Sequence, residues 1–176
     1  MANTHSFVIR TLDDWQNDAI NCAGICKTND LDNGQFVIRG ALGLKADGGY
    51  EFDCTLPAAN ATDLWLVETP PVGTTIEMQL MDDPRYFYNP KGKPLSIKGL
   101  TAGRTFIEVP ASAFATGKDP KTVAGATVVS VGTDGRLVAA TGAAPTAGTY
   151  FTIEAEHTTD IGIEAVPTWI LKCARN

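Results

Sequence analysis

Glycine and proline interrupt this chain throughout, and that punctuation most limits what it can fold into. The 176 residues include 17 glycines and 10 prolines, with short apolar, threonine-rich runs between them. Long helical periodicity is missing, whereas runs of this kind between turn residues are typical of β-strands. The sequence therefore predicts an all-β fold, a compact antiparallel β-barrel or sandwich with a short N-terminal helix or arm.

Candidate strands recur along the whole chain. Alternating apolar and polar residues in 75–81, 149–157 and 168–174 predict strands with one buried face. In the last of these, Trp169, Leu171 and Cys173 would share the buried face. The full set of predicted strands is 7–10, 35–44, 50–56, 64–68, 75–81, 95–100, 104–109, 127–131, 136–140, 149–157 and 168–174.

Turn residues predict how some of these strands connect. Asp134-Gly135 separates two β-rich runs, and Asp-Gly in that context predicts a hairpin with a tight primed turn. Asp47-Gly48-Gly49 and Asn33-Gly34 are further candidate turns. Because the turns are frequent and the strands short, they favour a sandwich or barrel over a parallel sheet.

The N-terminal part has a different character. Residues 11–20 are the only helix-like stretch, in which Thr11 would cap the first turn. We expect residues 1–60 to form N-terminal strands or an arm that contacts a neighbouring subunit, and residues 61–176 to form the barrel or sandwich domain.

Charge and hydropathy exclude several classes of protein. The 14 basic and 20 acidic residues give a net charge of −6, which disfavours a nucleic-acid partner bound through phosphate contacts. No run approaches the length of a membrane span, and we expect no signal peptide, because residues 1–10 have no basic region followed by an apolar run. We therefore expect neither nucleic acid nor a membrane as a partner.

The search for catalytic groups gives no candidate site. The two histidines are His5, near a terminus expected to be mobile, and His157, which in a strand would point away from Glu154 and Glu156. The acidic pairs at 13–14 and 82–83 are explained by a helix start and a turn. No nucleophile elbow, phosphate loop or dinucleotide fingerprint is present. We predict a protein that is not an enzyme, with no catalytic, cofactor-binding or metal-binding residues.

The four cysteines are Cys22, Cys26, Cys54 and Cys173. Their number and scatter predict reduced, mostly buried thiols. Two alternatives remain open: a zinc site that uses all four, and a disulfide. Zinc is disfavoured because the second pair is 119 positions apart (173 − 54), whereas structural zinc sites draw on two close pairs.

The segment 84–94 is the most distinctive loop. It combines three aromatic residues with three cations and three prolines, and the prolines exclude a central strand. Rigid aromatic rings beside arginine are typical anchors of contact sites. The candidate interface is therefore Arg85, Tyr86, Phe87 and Tyr88. The alternative is that the three rings cover the core from an ordinary loop.

The order of segments in the last two-thirds of the chain carries a resemblance. Residues 64–71 read LWLVETPP, 89–93 NPKGK and 100–109 LTAGRTFIEV; they are followed by VAGATVVSVGTDGRL at 123–137, AGTYFTIE at 147–154 and TWILKC at 168–173. This order resembles the capsid decoration proteins, also called cement or auxiliary head proteins, of tailed bacteriophages. The resemblance covers residues 63–174 and consists of turn glycines and strand patterns.

The resemblance implies a structural role. Such a protein is made in the host bacterial cytoplasm, binds the outer surface of the virion capsid and bridges subunits of the major capsid protein, with trimers as a plausible oligomer. Two alternatives stay open. One is a phage tail or host-recognition module that stacks Tyr86, Phe87 and Tyr88 on a ligand. The other is a small hydrolase that depends on His157 or the cysteines.

Overall fold

A computed structural model describes residues 5–12, 21–44, 49–70, 84–161 and 164–176. Within these ranges the chain forms eleven strands and two single turns of 3-10 helix, Pro84–Tyr86 and Ala111–Ala113. The predicted all-β class is confirmed. The strands are β1 (Arg10–Leu12), β2 (Asn21–Ile25), β3 (Phe36–Leu44), β4 (Tyr50–Thr55), β5 (Leu64–Val67), β6 (Pro94–Gly99), β7 (Phe106–Pro110), β8 (Val128–Val131), β9 (Leu137–Ala140), β10 (Tyr150–Ile161) and β11 (Glu164–Arg175).

Six strands form an antiparallel sheet in the order β1-β7-β11-β10-β8-β9. Its centre is the long β10–β11 hairpin, with twelve residues in each strand. β8 pairs with β10 only as far as Thr152, and β7 pairs with β11 only from Thr168 onward. The distal half of the hairpin, which we call the β10–β11 arm, therefore projects beyond the neighbouring strands.

The other five strands close into a barrel in the order β2-β4-β3-β5-β6. All pairs are antiparallel except β2 with β4. The sequence did not predict β2, whose segment Asn-Cys-Ala-Gly-Ile has only one strong β-former, Ile25. Gly24 is needed there because a Cβ at this position would lie 2.6 Å from the Cys54 sulfur.

The barrel and the six-stranded sheet share a hydrophobic core, to which β5 contributes every second side chain. Leu64 and Leu66 point into the cluster shared with the six-stranded sheet, whereas Trp65 and Val67 point into the barrel. All four side chains are buried, which explains why this strand reads as a continuous apolar run. The predicted buried face of Trp169, Leu171 and Cys173 is confirmed and lines the shared core.

The Asp134-Gly135 hairpin is confirmed as the connection between β8 and β9, although its turn differs from the prediction. Only Gly135 has a positive φ, +75°, and the Gly135 N–H donates to the Gly132 carbonyl at 3.0 Å. The loop is therefore longer than a two-residue primed turn and needs one left-handed residue. Its tip contacts the barrel, where the Phe36 N–H donates to the Gly135 carbonyl at 2.8 Å.

Other expectations differ in position. Thr11 lies inside β1 and caps no helix, and the strand predicted at 7–10 begins only at Arg10. The remainder of the helix-like stretch and the predicted strand 75–81 lie outside the described residues. The turn at Asn33-Gly34 is confirmed, with Gly34 at φ +89°. Leu44 pairs with Tyr50, although residues 45–48 between them also lie outside the described ranges.

The barrel takes strands from both sides of the boundary expected between residues 60 and 61. β2, β3 and β4 precede that boundary, whereas β5 and β6 follow it. Asn176, which follows β11 of the sheet, is bonded to the barrel, because its side-chain Oδ1 accepts a hydrogen bond from the Leu64 N–H at 2.8 Å. Strand pairing therefore divides the chain into a barrel and a sheet that do not follow this boundary.

Candidate functional site

The predicted interface residues Arg85, Tyr86, Phe87 and Tyr88 form a half-buried segment. It begins with the 3-10 turn Pro84–Tyr86, in which proline supplies the fixed φ of the first position. Arg85 forms an ion pair with Glu164 at the tip of the β10–β11 arm. The Tyr88 ring stacks on His5, with centroids 5.1 Å apart and an interplanar angle of 13°. The structure thus brings the four residues together and ties them to two other parts of the chain.

Asn89 anchors the end of this segment. Its backbone pairs with that of Leu31 through two hydrogen bonds of 2.9 and 2.7 Å. Its buried side-chain amide donates to the Leu31 carbonyl and to the Asn33 Oδ1, both at 3.1 Å. Because these groups are satisfied within the protein, the loop is held in a defined conformation beside the barrel.

A polar cluster lies beside Tyr88 and centres on the carboxylate of Asp32. Oδ1 lies 2.7 Å from His5 Nδ1, and Oδ2 accepts from the Ser6 N–H at 3.1 Å and from Arg136 Nη2 at 2.6 Å. The sequence suggested a mobile His5, whereas here its ring is fixed by Asp32 and Tyr88. The cluster connects the N-terminal segment, the residues before β3 and the β8–β9 hairpin.

Sequence analysis did not identify Glu108, the most completely buried charged group among the described residues. Its side chain is 0% exposed, and its carboxylate accepts from Arg10 Nε at 2.5 Å, Thr159 Oγ1 at 2.7 Å and Thr168 Oγ1 at 2.8 Å. Burial alone would raise its pKa, but the hydrogen bonds from Thr159, Arg10 and Thr168 outweigh burial and leave the pKa below its ordinary value. Glu108 therefore holds β1 and the arm to β7 as an ionised carboxylate.

His157 lies at the edge of this cluster. Its Nδ1 is 3.3 Å from Glu108 Oε1 and 3.1 Å from Thr159 Oγ1, and its side chain is half exposed. No sequence signal linked the pair, since Glu108 precedes His157 by 49 positions (157 − 108) on a strand that is not its direct neighbour. Within the described ranges, no three His, Cys, Asp or Glu side chains are grouped to hold a metal ion.

The four thiols do not converge. Cys22, Cys26 and Cys54 belong to the barrel interior, whereas Cys173 lies in the core shared with the six-stranded sheet. All four are free, and all except Cys22 are buried. Burial raises the pKa of Cys54 to about 11 and that of Cys173 to about 12. The zinc site that would use all four is therefore wrong, because the thiols are divided between two clusters.

A cleft of about 330 Å³ lies between the 3-10 turn Ala111–Ala113 and the β8–β9 hairpin. Arg136 lines it, but its guanidinium already donates to the Ser112 carbonyl at 2.7 Å and to Asp32. Asp119, another lining residue, accepts hydrogen bonds from Lys121 and Thr122 in its own turn. The charged groups of the cleft are thus engaged in structural contacts.

No protein-family model matches the chain, and no curated protein matches it. None of the helices in the described ranges has the length and apolar character required to span a membrane.

Proposed function

We propose that this chain is a capsid decoration protein of a tailed bacteriophage, a non-enzymatic protein that binds the outer surface of the shell. It would stabilise the head by bridging neighbouring subunits of the major capsid protein. The observation that carries the proposal is the order of segments in residues 63–174, which resembles that family. Four of these segments supply β7, β8, β10 and β11, neighbouring strands of the six-stranded sheet.

The anchored loop supports a docking role for Arg85, Tyr86, Phe87 and Tyr88. A lattice contact requires a surface that is ordered before binding, since each immobilised side chain otherwise costs entropy at the interface. Here the loop is held by the Arg85–Glu164 pair, the Tyr88–His5 stack and the Asn89 hydrogen bonds. The stack also occupies one face of Tyr88, which favours a protein contact over ring stacking on a sugar.

The charge of the chain is compatible with this role. A net charge of −6 keeps unbound copies apart in solution and opposes contact with nucleic acid. We propose the virion surface as the location and a homo-oligomer, with a trimer as the model to test, as the bound form.

Quantitative mass spectrometry of purified virions tests the proposal. A copy number similar to that of the major capsid protein is expected, and absence from the shell contradicts it. A handful of copies would instead assign the chain to the tail or host-recognition class.

A pair of variants tests the docking loop. Phe87→Ser should lower occupancy on shells that lack the wild-type chain, as measured by cryo-electron microscopy. Phe106→Ser, which also removes a half-buried ring but on β7, serves as the control for lost stability. Equal occupancy of the two variants would exclude the loop as the docking surface.

A further inference from the structure

On β3 of the barrel lies an arginine, Arg39, whose hydrogen-bond donors have no acceptor among the described residues. The Arg39 guanidinium lies between two aromatic rings, 4.1 Å from the centroid of Trp65 and 4.7 Å from that of Phe52. In the described part of the chain no carboxylate or carbonyl accepts a hydrogen bond from it. A guanidinium stacked on aromatic faces keeps its N–H groups directed outward in one plane, a geometry suited to a carboxylate.

A second unused donor lies at the same place. Trp65 is 4% exposed, and its indole Nε1 is buried without a hydrogen-bond partner. Buried indole N–H groups ordinarily have an acceptor, because an unpaired buried donor costs about 1–3 kcal/mol. The indole N–H is itself shielded from solvent, so the Arg39 guanidinium stacked on the ring is the group that offers a ligand donors and positive charge. A fitting ligand must supply acceptors and negative charge.

An exposed apolar strip continues from this site along β3 and β4. Leu42, Leu44 and Tyr50 are 52%, 72% and 63% exposed, and they are the large hydrophobic residues exposed in the described ranges. Leu42 pairs with Phe52 and Leu44 with Tyr50, so all four share the face of the ribbon that begins at Arg39. Exposed apolar residues grouped in this way mark interaction sites, whereas single ones do not.

The backbone beside the strip is also open. The pairing of β3 with β5 ends at Ile38. Beyond it, residues 40–44 pair only with β4 among the described strands. That edge presents unpaired N–H and C=O groups to an incoming extended chain. The segment 40–44, Gly-Ala-Leu-Gly-Leu, contains no charge that would repel a partner.

We infer that this surface, made of Arg39, Trp65, Phe52, Leu42, Leu44 and Tyr50, binds an extended apolar peptide segment that carries one carboxylate. The segment would lie along the free edge of β3, its apolar side chains on the strip and its Asp or Glu on Arg39. Phosphate is a poorer match because the site has one cation beside uncharged apolar side chains, in a chain of net charge −6. The inference goes beyond the capsid proposal, uses a different surface and holds whatever larger protein contains the peptide.

Titration calorimetry with two blocked nonapeptides tests it. Both have leucine at alternate positions and threonine between, and they differ only in a central aspartate or asparagine. We expect the aspartate peptide to bind wild-type protein at least about tenfold more tightly, as a charge-assisted hydrogen bond requires. Equal binding of the two peptides overturns the inference, and this comparison needs no variant to fold.

Variants locate the site. Arg39→Gln should reduce the preference for the aspartate peptide to within about twofold. The control is Arg104→Gln, at an exposed arginine in the loop before β7, which should retain the full preference. Leu44→Ser should weaken the binding of both peptides but keep the preference for the aspartate peptide. The indole N–H signal of Trp65 in an NMR spectrum should shift with the aspartate peptide. A preference that survives Arg39→Gln contradicts the proposal.

Two further measurements distinguish the peptide from other occupants of this surface. Displacement of the peptide by a ten-nucleotide oligothymidylate would reassign the surface to nucleic acid and overturn the inference. A dimer seen by sedimentation that Leu44→Ser abolishes would assign the surface to a second copy of this chain, with the same consequence. Absence of both effects, together with the aspartate preference, supports the peptide site.

Discussion

At the scale of single residues, Glu108 shows how a fully buried charge can be stabilising. Three donors surround its carboxylate, and two of them, Thr159 and Thr168, belong to the β10–β11 hairpin. A charge left in this environment with fewer donors would be costly, because desolvation is no longer offset. The residue therefore gives the arm a fixed direction at its base.

Glu108→Gln should lower the free energy of unfolding by about 3 kcal/mol, since the variant keeps the shape but loses the charge that Arg10, Thr159 and Thr168 stabilise. Urea denaturation at pH 7 measures the change. Glu154→Gln, on the exposed part of β10, should stay within about 0.5 kcal/mol of the wild type. A Glu108 variant as stable as this control would contradict the role given to the carboxylate.

The same carboxylate predicts a dependence on pH. Its folded pKa lies below the ordinary value of 4.5, so its contribution to stability is present above pH 4.5 and is lost as the pH falls through the folded pKa. The difference in urea midpoint between wild type and Glu108→Gln should therefore shrink below pH 4.5. A difference that stays constant down to pH 3 would show that the carboxylate keeps its ordinary pKa.

Gly135 supplies a second prediction at this scale. It has a φ of +75°, and a Cβ there would lie 2.5 Å from the Phe36 carbonyl oxygen. Gly135→Ala should cost about 3 kcal/mol, from the left-handed backbone and from displacement of Phe36. Gly103→Ala is the control, with a φ of +79° and no atom near the added carbon, and should cost about 1 kcal/mol. Thermal denaturation that gave equal losses would exclude the contact as a constraint.

At the scale of strands, the thiols of the barrel and that of β11 should differ in reactivity from one another. Cys22 is half-buried, whereas burial keeps Cys54 and Cys173 protonated well above pH 8, with pKa values of about 11 and 12. Alkylation of the native protein at pH 8, read by peptide mass spectrometry, should label Cys22 first. All four cysteines should react in denaturant. Labelling of Cys173 as fast as Cys22 would contradict the packing of β11.

The strands themselves show what sequence patterns can predict. The β8–β9 hairpin and the buried face of β11 followed from local features, a glycine turn and an alternation of period two. β2 was missed because the requirement for Gly24 comes from side chains of other strands, above all the Cys54 sulfur. Sequence patterns that predict a strand involve residues that are close along the chain. Contacts between strands, such as that of Gly24 with Cys54, depend on how the strands are aligned in the sheet.

The sites follow the same division. The loop at Arg85–Tyr88 was singled out from its composition, and its role as an interface stays a prediction. Glu108 was not recognisable, since its partners are contributed by β1, β10 and β11. Arg39 was missed for the same reason: its two rings come from β4 and β5, and a register shift between Arg39 and Leu42 sets their alignment. Long-range pairing of this kind has no local signature.

At the scale of the whole molecule, the barrel and the six-stranded sheet should unfold together. They share a core, and Asn176 bonds to both Leu64 and Thr149. Trp65 reports on the barrel and Trp169 on the shared core. Two variants each keep one of these tryptophans and have the other two tryptophans of the chain, Trp15 included, replaced by Phe. In each variant the urea midpoint measured by fluorescence should equal the midpoint measured by circular dichroism. Separate midpoints within one variant would show two independent units.

The contact between Phe36 and Gly135 also constrains when this protein can fold. Phe36 receives its backbone partner from a residue 99 positions later (135 − 36), and β5 packs against strands near residues 151 and 171. A ribosome that has synthesised only the barrel strands has not yet supplied these partners. The nascent barrel must therefore keep apolar surface uncovered until residues 135–171 have been synthesised. We therefore expect the yield of folded chains to depend on chaperone access during synthesis as well as on the stability of the finished molecule.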